Sequence, residues 1–206
     1  MNFDAVLFDM DGVLLESFDA WAALMDAAAR HFGHAPVTPE AFRAVYGQPT
    51  SEDVRLFFPS QTVERVEAYY EAHFAEHAGA ARVNPAAQGV LERLRLKGYR
   101  TAVVTNTPSP LARQMLVAAG LEPDVVVGGS DVEEAKPAPD IIFRACELLG
   151  VEPWDALMVG DSPYDQQAAA GAGTPFAGIG GLRGNFTITR LEQVVDIVEG
   201  DFADPA

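Results

Sequence analysis

The sequence is poor in cysteine and lysine: among 206 residues there is one Cys, and of 14 basic residues only Lys97 and Lys136 are lysines. A single thiol forms no internal bridge, and no Cys/His cluster has zinc-finger spacing, so neither disulfide nor structural zinc is expected to hold the fold. A reducing compartment, the cytoplasm, is the expected location. No stretch approaches the ~18 apolar residues of a membrane span, and no Lys or Arg precedes Arg30, so neither a spanning segment nor the basic start of a secretory leader is expected. Positive charge is scarce as well. Fourteen basic against 30 acidic residues leave a formal net charge of −16, which repels phosphate backbones and argues against nucleic acid as a partner. An anionic ligand must meet a local exception to that field.

Forty-nine per cent of the residues are hydrophobic, and at roughly 150 residues per domain the length suits one domain carrying a sizeable insert. Short apolar runs alternate with helical patterns, the signature of a parallel sheet made of βαβ units. The candidate strands are Ala5 to Phe8, Thr101 to Val104, Val125 to Val127, Ala156 to Val159 and Phe176 to Ile179; their continuous apolar character implies burial on both faces. Helices are expected over Pro85 to Lys97, Pro110 to Ala119 and Pro139 to Leu149, stopped by Gly98, Gly120 and Gly150. Residues 16–84 break this rhythm. They hold no convincing strand and read as several helices, with ten acids against five arginines and no lysine. The expected fold class is therefore α/β: a Rossmann-like parallel sheet core flanked by helices, formed by residues 1–15 and 85–206, with an all-helical insertion over 16–84 after the first strand. The acidic tail, Gly200 to Ala206, is expected to fray.

Ligands of an open parallel sheet bind beyond the carboxyl ends of its strands, so the residues that follow each strand are the candidate site. They are Asp9, Asp11 and Gly12 after the first strand, Thr105 and Asn106 after the second, and Asp161 and Asp165 after the fourth; Lys136 lies in the loop after the third. Four converging carboxylates repel one another and stay ionised only beside a cation. Oxygen ligands specify a hard one, Mg²⁺ by preference. With it, Asp9 can act as nucleophile and Asp11 as general acid and then base. Lys136 and the Thr105 hydroxyl would hold phosphoryl oxygens, with backbone N–H groups around Gly12 and Asn106 as further donors.

Each candidate also has a plainer reading. An Asp-x-Asp can simply end a strand, but its register is not that of a calcium loop. Ser162-Pro163-Tyr164-Asp165 matches a helix-capping pattern, which is compatible with a role for Asp165 in the site. His73 and His77 have the spacing of a metal pair but lack the accompanying Glu and a third ligand. Cys146 reads as core filler. Trp21, Phe57, Phe58, Tyr69 and Tyr70 read as packing for the insert, with one or two available to line a pocket facing the acids. Arg43 and Arg55 are the candidates to meet an anionic substrate, against a plainer reading as solvated helix charges.

Taken in order, Asp9-Met10-Asp11-Gly12-Val13, Thr105-Asn106, Lys136-Pro137 and Gly160-Asp161-Ser162-x-x-Asp165 resemble the four motifs of the haloacid dehalogenase superfamily. Val103 to Leu111, Gly128 to Asp140 and Val159 to Gly171 are similar to phosphoglycolate phosphatases, whose helical cap follows the first motif. The resemblance implies hydrolysis of a small phosphorylated metabolite through a phosphoaspartyl intermediate. Asp9 would be the nucleophile, Asp11 the acid–base group, and Thr105, Asn106 and Lys136 the phosphate-binding set. Mg²⁺ would be held by the Asp9 carboxylate, the Asp11 carbonyl and Asp161, with Asp165 in support. The presence of Asp11 argues against dehalogenase chemistry, and a cap without lysine argues against the Schiff base of phosphonatases. Gly160 in place of an acid before Asp161 favours hydrolysis over a sugar phosphomutase, the alternative enzyme. A receiver-like signalling module would lack such an insert, and a non-catalytic binding relative would not need the complete motifs. One departure concerns the substrate: the position after Asn106, often Lys in phosphoglycolate phosphatases, is Thr107.

Overall fold

The computed structural model describes residues 2–203. Six strands form one parallel sheet in the order β5-β4-β1-β6-β7-β8: β1 Ala5–Phe8, β4 Arg100–Thr105, β5 Val125–Gly128, β6 Ala156–Gly160, β7 Phe176–Gly178 and β8 Phe186–Thr187. β1 is central, pairing in parallel with β4 on one side and β6 on the other. This is the α/β architecture expected, and the five expected strands are present to within a residue or two. β8 is an addition, a two-residue strand with no pattern of its own.

Alternation along the strands divides the core. Val6, Phe8, Val103 and Val159 share one buried cluster with helices α5 Ala87–Leu96, α6 Ser109–Ala119 and α9 Gln193–Glu199. Ala5, Leu7, Ala102, Val104 and Met158 face the other way, onto α7 Asp140–Leu149 and α8 Pro163–Ala172. A strand buried on both faces must be apolar at every position, and this is why these runs are unbroken. Each fully buried Val, Leu or Phe contributes roughly 1.5–3 kcal/mol relative to exposure, so the sheet is a stiff floor for whatever follows its strand ends.

Four helices occupy the segment after β1: α1 Phe18–His31, α2 Pro39–Arg43, α3 Thr50–Phe57 and α4 Val63–His77. Against the expectation of no strand, the segment begins and ends in a short antiparallel ribbon, β2 Leu15–Glu16 against β3 Arg82–Val83. Two residues are too few to show any periodicity, and only the pairing of chain entry with chain exit creates these strands. Trp21 packs edge-on against Tyr70, ring centroids 5.5 Å apart, and tilted against Phe74 at 5.1 Å. These aromatics are continuous with the cluster on the α5/α6/α9 face of the sheet, so the helical segment is packed down onto the core.

The acidic tail departs from the expected fraying over its described part. Asp201 donates its N–H to the Asp196 carbonyl at 2.9 Å, and the Phe202 ring meets Phe186 edge-on at 5.9 Å. Residues 204–206 lie outside the described residues. No helix among the described residues is long and apolar enough to cross a membrane. Cys146 is free and buried, and burial, with Glu152 nearby, pushes its thiol up to about 11, consistent with core filler.

Candidate active site

Asp9 follows β1 but still donates its N–H to the Val159 carbonyl at 2.9 Å, so the sheet itself fixes its position. Lys136 reaches the same point from the loop before α7, and its ammonium donates to Asp9 Oδ1 at 2.7 Å, Asp165 Oδ1 at 2.7 Å and the Val104 carbonyl at 2.9 Å. All three N–H bonds of the ammonium are used. Burial alone would draw the Lys136 pKa down, but the charges of Asp165 and Asp9 and their hydrogen bonds outweigh it, and the group is held above the usual lysine range. Lys136 is 2% exposed and Asp165 0%; removing one member of such a buried triad leaves an uncompensated charge.

Asp165 has two functions at once. Its Oδ2 accepts from the Ser162 N–H at 3.1 Å, and its own N–H donates to Ser162 Oγ at 3.3 Å, completing the capping box at the start of α8. Its other oxygen holds Lys136. The two readings of Asp165 offered by the sequence are therefore structurally compatible.

One carboxylate oxygen each from Asp9, Asp161 and Asp165 lie within 4.8 Å of one another. Burial first, then Asp165, pushes Asp161 up to about 7. Asp9 is held well above the usual carboxylate range by burial and Asp165, with Lys136 opposing. Three carboxylates facing one lysine carry an excess of negative charge, and an all-oxygen donor set suits a hard divalent cation. The residues present thus fit Mg²⁺. Gly12 makes this closeness possible: it has φ +93°, and a Cβ there would lie 2.1 Å from Asp161 Oδ2. Gly160 shares the spatial part of this constraint, since its Cβ would lie 2.4 Å from the Asp165 Cβ.

The Asp11 carboxylate is turned away from that cluster. It accepts from Ser17 Oγ and, at 2.9 Å, from Trp21 Nε1 on one oxygen, and from Thr107 Oγ1 at 2.8 Å on the other. Ser17 occupies the N-cap position of α1 without capping it, because its hydroxyl is given to Asp11 and accepts from Tyr46 at 2.9 Å. Thr107, notable in the sequence only as a missing lysine, is thus a direct partner of Asp11. Thr105 is buried at the end of β4 and accepts the Thr107 N–H at 3.2 Å. The Asn106 side chain ties elements together, donating to the Gly47 carbonyl at 2.9 Å and the Lys136 carbonyl at 2.8 Å and accepting the Lys136 N–H at 2.9 Å.

Asp9, Asp11, Thr105, Asn106 and Thr107 form the floor of a cavity of about 40 Å³, room for about three waters. Its roof comes from the helical segment: Trp21, Phe42 and Tyr46, with Gln48, Asp53 and Tyr70. Of the five aromatics the sequence offered, Trp21 and Tyr70 line the pocket, and Phe57, Phe58 and Tyr69 do not. Arg43 and Arg55 do not line it. The Arg43 guanidinium lies 3.6 Å from the Phe18 ring centroid, and Arg55 pairs with Glu52 at 2.7 Å in solvent. Arg55 thus has a local partner, whereas Arg43, together with Arg82, lines a second cavity of about 370 Å³ that also reaches Gly12, Ser17, Tyr46 and Asp161. His73 is paired with Glu76 at 2.8 Å, and no metal cluster among the described residues includes a histidine.

Gln48 and Asp53 were not singled out by the sequence. Gln48 Nε2 donates to Asp53 Oδ1 at 2.7 Å and Tyr70 OH to Oδ2 at 3.0 Å. In the sequence Asp53 is one more acid in the first turn of a helix, and only its burial sets it apart.

Sheet, strand-end carboxylates and buried lysine together define an α/β protein with an acidic, lysine-bridged site at the carboxyl ends of its strands. The chain belongs to the haloacid dehalogenase-like hydrolase family, which matches residues 6–179. It is similar to the plasmid phosphoglycolate phosphatase of Cupriavidus necator, 34% identical over 196 residues, covering 86% of this chain and 84% of the relative. It is also similar to pyrophosphatase PpaX of Anoxybacillus flavithermus, 29% identical over 181 residues, with 87% and 84% covered. Among solved structures, a HAD-superfamily hydrolase of subfamily IA from Geobacter sulfurreducens superposes with a TM-score of 0.71 at 25% identity, covering 95% of this chain and 96% of that one.

Proposed function

We propose that the protein is a Mg²⁺-dependent phosphatase of small phosphorylated metabolites working through a phosphoaspartyl intermediate. The observation that carries this reading is Asp9, fixed at the strand end under the cavity, with one oxygen engaged by Lys136 and two further carboxylates within reach of one cation. The Asp9 carboxylate attacks phosphorus, the bond from phosphorus to the leaving oxygen breaks, and Asp11 gives that oxygen its proton. Asp11 then takes a proton from water as the water attacks the phosphoryl group. Asp9 is regenerated and inorganic phosphate leaves. Asp9, the Asp11 carbonyl and Asp161 would hold Mg²⁺, with Asp165 in support. Bound there, the ion would offset the excess negative charge and bind a phosphoryl oxygen.

Thr105, Asn106 and Lys136 are the phosphate-binding set in this reading. Lys136 supplies positive charge beside Asp9, the Thr105 hydroxyl and the backbone at Asn106 supply donors, and the Asn106 side chain positions the loops. Residues 16–84 act as a cap on a core of 1–15 and 85–206, excluding water and meeting the leaving group. Support comes from the roof residues and from the hydrogen bonds that Ser17 and Trp21 make to Asp11. The free buried thiol and the −16 charge support a cytoplasmic enzyme with neither membrane nor nucleic acid as partner.

The test is phosphate release from a panel of phosphorylated metabolites, with and without Mg²⁺, beside Asp9→Asn. Release that requires Mg²⁺ and disappears in Asp9→Asn is expected, with circular dichroism unchanged. Near wild-type turnover by the variant would remove Asp9 as nucleophile.

A further inference from the structure

The roof of the cavity differs in charge from what the named substrates of the relatives would require. Glycolate and phosphate, the groups released from phosphoglycolate and pyrophosphate, are themselves anions. Yet among the described residues no Lys, Arg or His lines this cavity. Lys136 lies beneath it with all three N–H bonds committed, Arg55 pairs with Glu52, and Arg43 and Arg82 line the neighbouring cavity on the Asp161 side of Tyr46 rather than this one. What the roof does present is a carboxylate. Asp53 is 7% exposed and has no basic partner; its two hydrogen bonds come from the neutral donors Gln48 and Tyr70.

An ionised carboxyl has about four lone-pair sites, so each Asp53 oxygen has capacity for one more donor. The aromatic faces of Trp21, Phe42 and Tyr46 beside it offer contact to C–H bonds and to cations. An anionic leaving group in this cavity would instead meet Asp53 and no basic side chain, an arrangement that disfavours it against a neutral or cationic one.

Building on the phosphatase reading above, we infer that the leaving group is a small alcohol that carries a further hydrogen-bond donor, hydroxyl or ammonium, and no negative charge, with Asp53 as the residue that selects it. Burial pushes the Asp53 carboxyl up to about 7, against the donors Gln48 and Tyr70. This is the state of an acid that gains from any incoming donor.

Matched two-carbon esters test this on the full chain with Mg²⁺: 2-hydroxyethyl phosphate, 2-aminoethyl phosphate and 2-phosphoglycolate, with inorganic pyrophosphate and p-nitrophenyl phosphate alongside. The expected kcat/KM for the hydroxyl or amine ester is at least tenfold above that for phosphoglycolate and pyrophosphate, and the better of the two identifies the donor. Asp53→Asn should narrow this gap at least fivefold, mainly through KM. The variant has a route to a folded state, because the new amide can accept from one neighbour and donate to the Tyr70 oxygen. A wild-type preference for phosphoglycolate or pyrophosphate overturns the inference whatever the variant does, and so does an unchanged gap in a folded Asp53→Asn. If p-nitrophenyl phosphate is hydrolysed and phosphoglycolate is the best ester, this inference alone fails. If nothing is hydrolysed, the phosphatase reading fails and this one falls with it.

Discussion

Asp53 shows how one buried side chain sets a property of the whole fold. Its carboxyl is pushed from 3.8 up to about 7 by burial, with Gln48 and Tyr70 donating into it. Between roughly pH 4 and 7 the native protein therefore keeps a proton that the unfolded chain has already lost. The native state binds more protons in that window, so unfolding free energy falls as pH rises through it and levels off above it. The expected outcome is a lower urea midpoint for the metal-free protein at pH 8 than at pH 5, with a smaller drop in Asp53→Asn. Asp161 is also pushed up to about 7 by burial and Asp165 and contributes in the same direction, so the difference between wild type and variant isolates Asp53. Equal drops in the two proteins would mean that Asp53 is ionised throughout.

Among the elements, α8 joins architecture to chemistry most directly. Its capping box satisfies the first backbone N–H groups of the helix and, through Asp165, also steadies Lys136. Ser162→Ala removes a side-chain cap worth about 1 kcal/mol. It also takes the hydroxyl donor from Asp165 Oδ2, which keeps only the backbone N–H of residue 162, so a melting temperature lower by a few degrees should come with reduced kcat and little change in KM. A stability loss with kcat intact would separate the cap from the site. This helix was legible in the sequence because Ser, Pro and Asp stand at fixed local offsets, and β1, β4 and β6 were legible because double burial demands unbroken apolar runs. Asp9, Asp11 and Asp161 stood out because they follow β1 and β6, and Lys136 because it lies in the loop after β5 of a chain with only two lysines. β2, β3 and β8 were not, since two-residue strands exist only through their partners. Ser17, Gln48, Asp53 and Thr107 were missed, or noted for another reason, because each acquires its role from a residue distant in sequence or from burial, neither of which leaves a local pattern.

At the scale of the whole molecule, a chain of net charge −16 gathers three carboxylates at one point and repels itself everywhere else. Any salt relieves the diffuse part by screening within a Debye length. Only an ion that binds the cluster of Asp9, Asp161 and Asp165 relieves the local part. The two contributions separate when melting is followed in MgCl₂ and in NaCl at equal ionic strength. A ligand at about 100 times its Kd adds about 2.7 kcal/mol to the native state, and for a chain of this size each kcal/mol moves Tm by about 2–4 °C. Millimolar Mg²⁺ should therefore raise Tm by roughly 5–10 °C beyond the NaCl control, and Asp161→Asn should lose most of that excess while keeping the common screening effect. If the two salts act alike on the wild type, the cluster does not bind the ion, and the Asp9–Lys136–Asp165 triad must balance its charge without a metal.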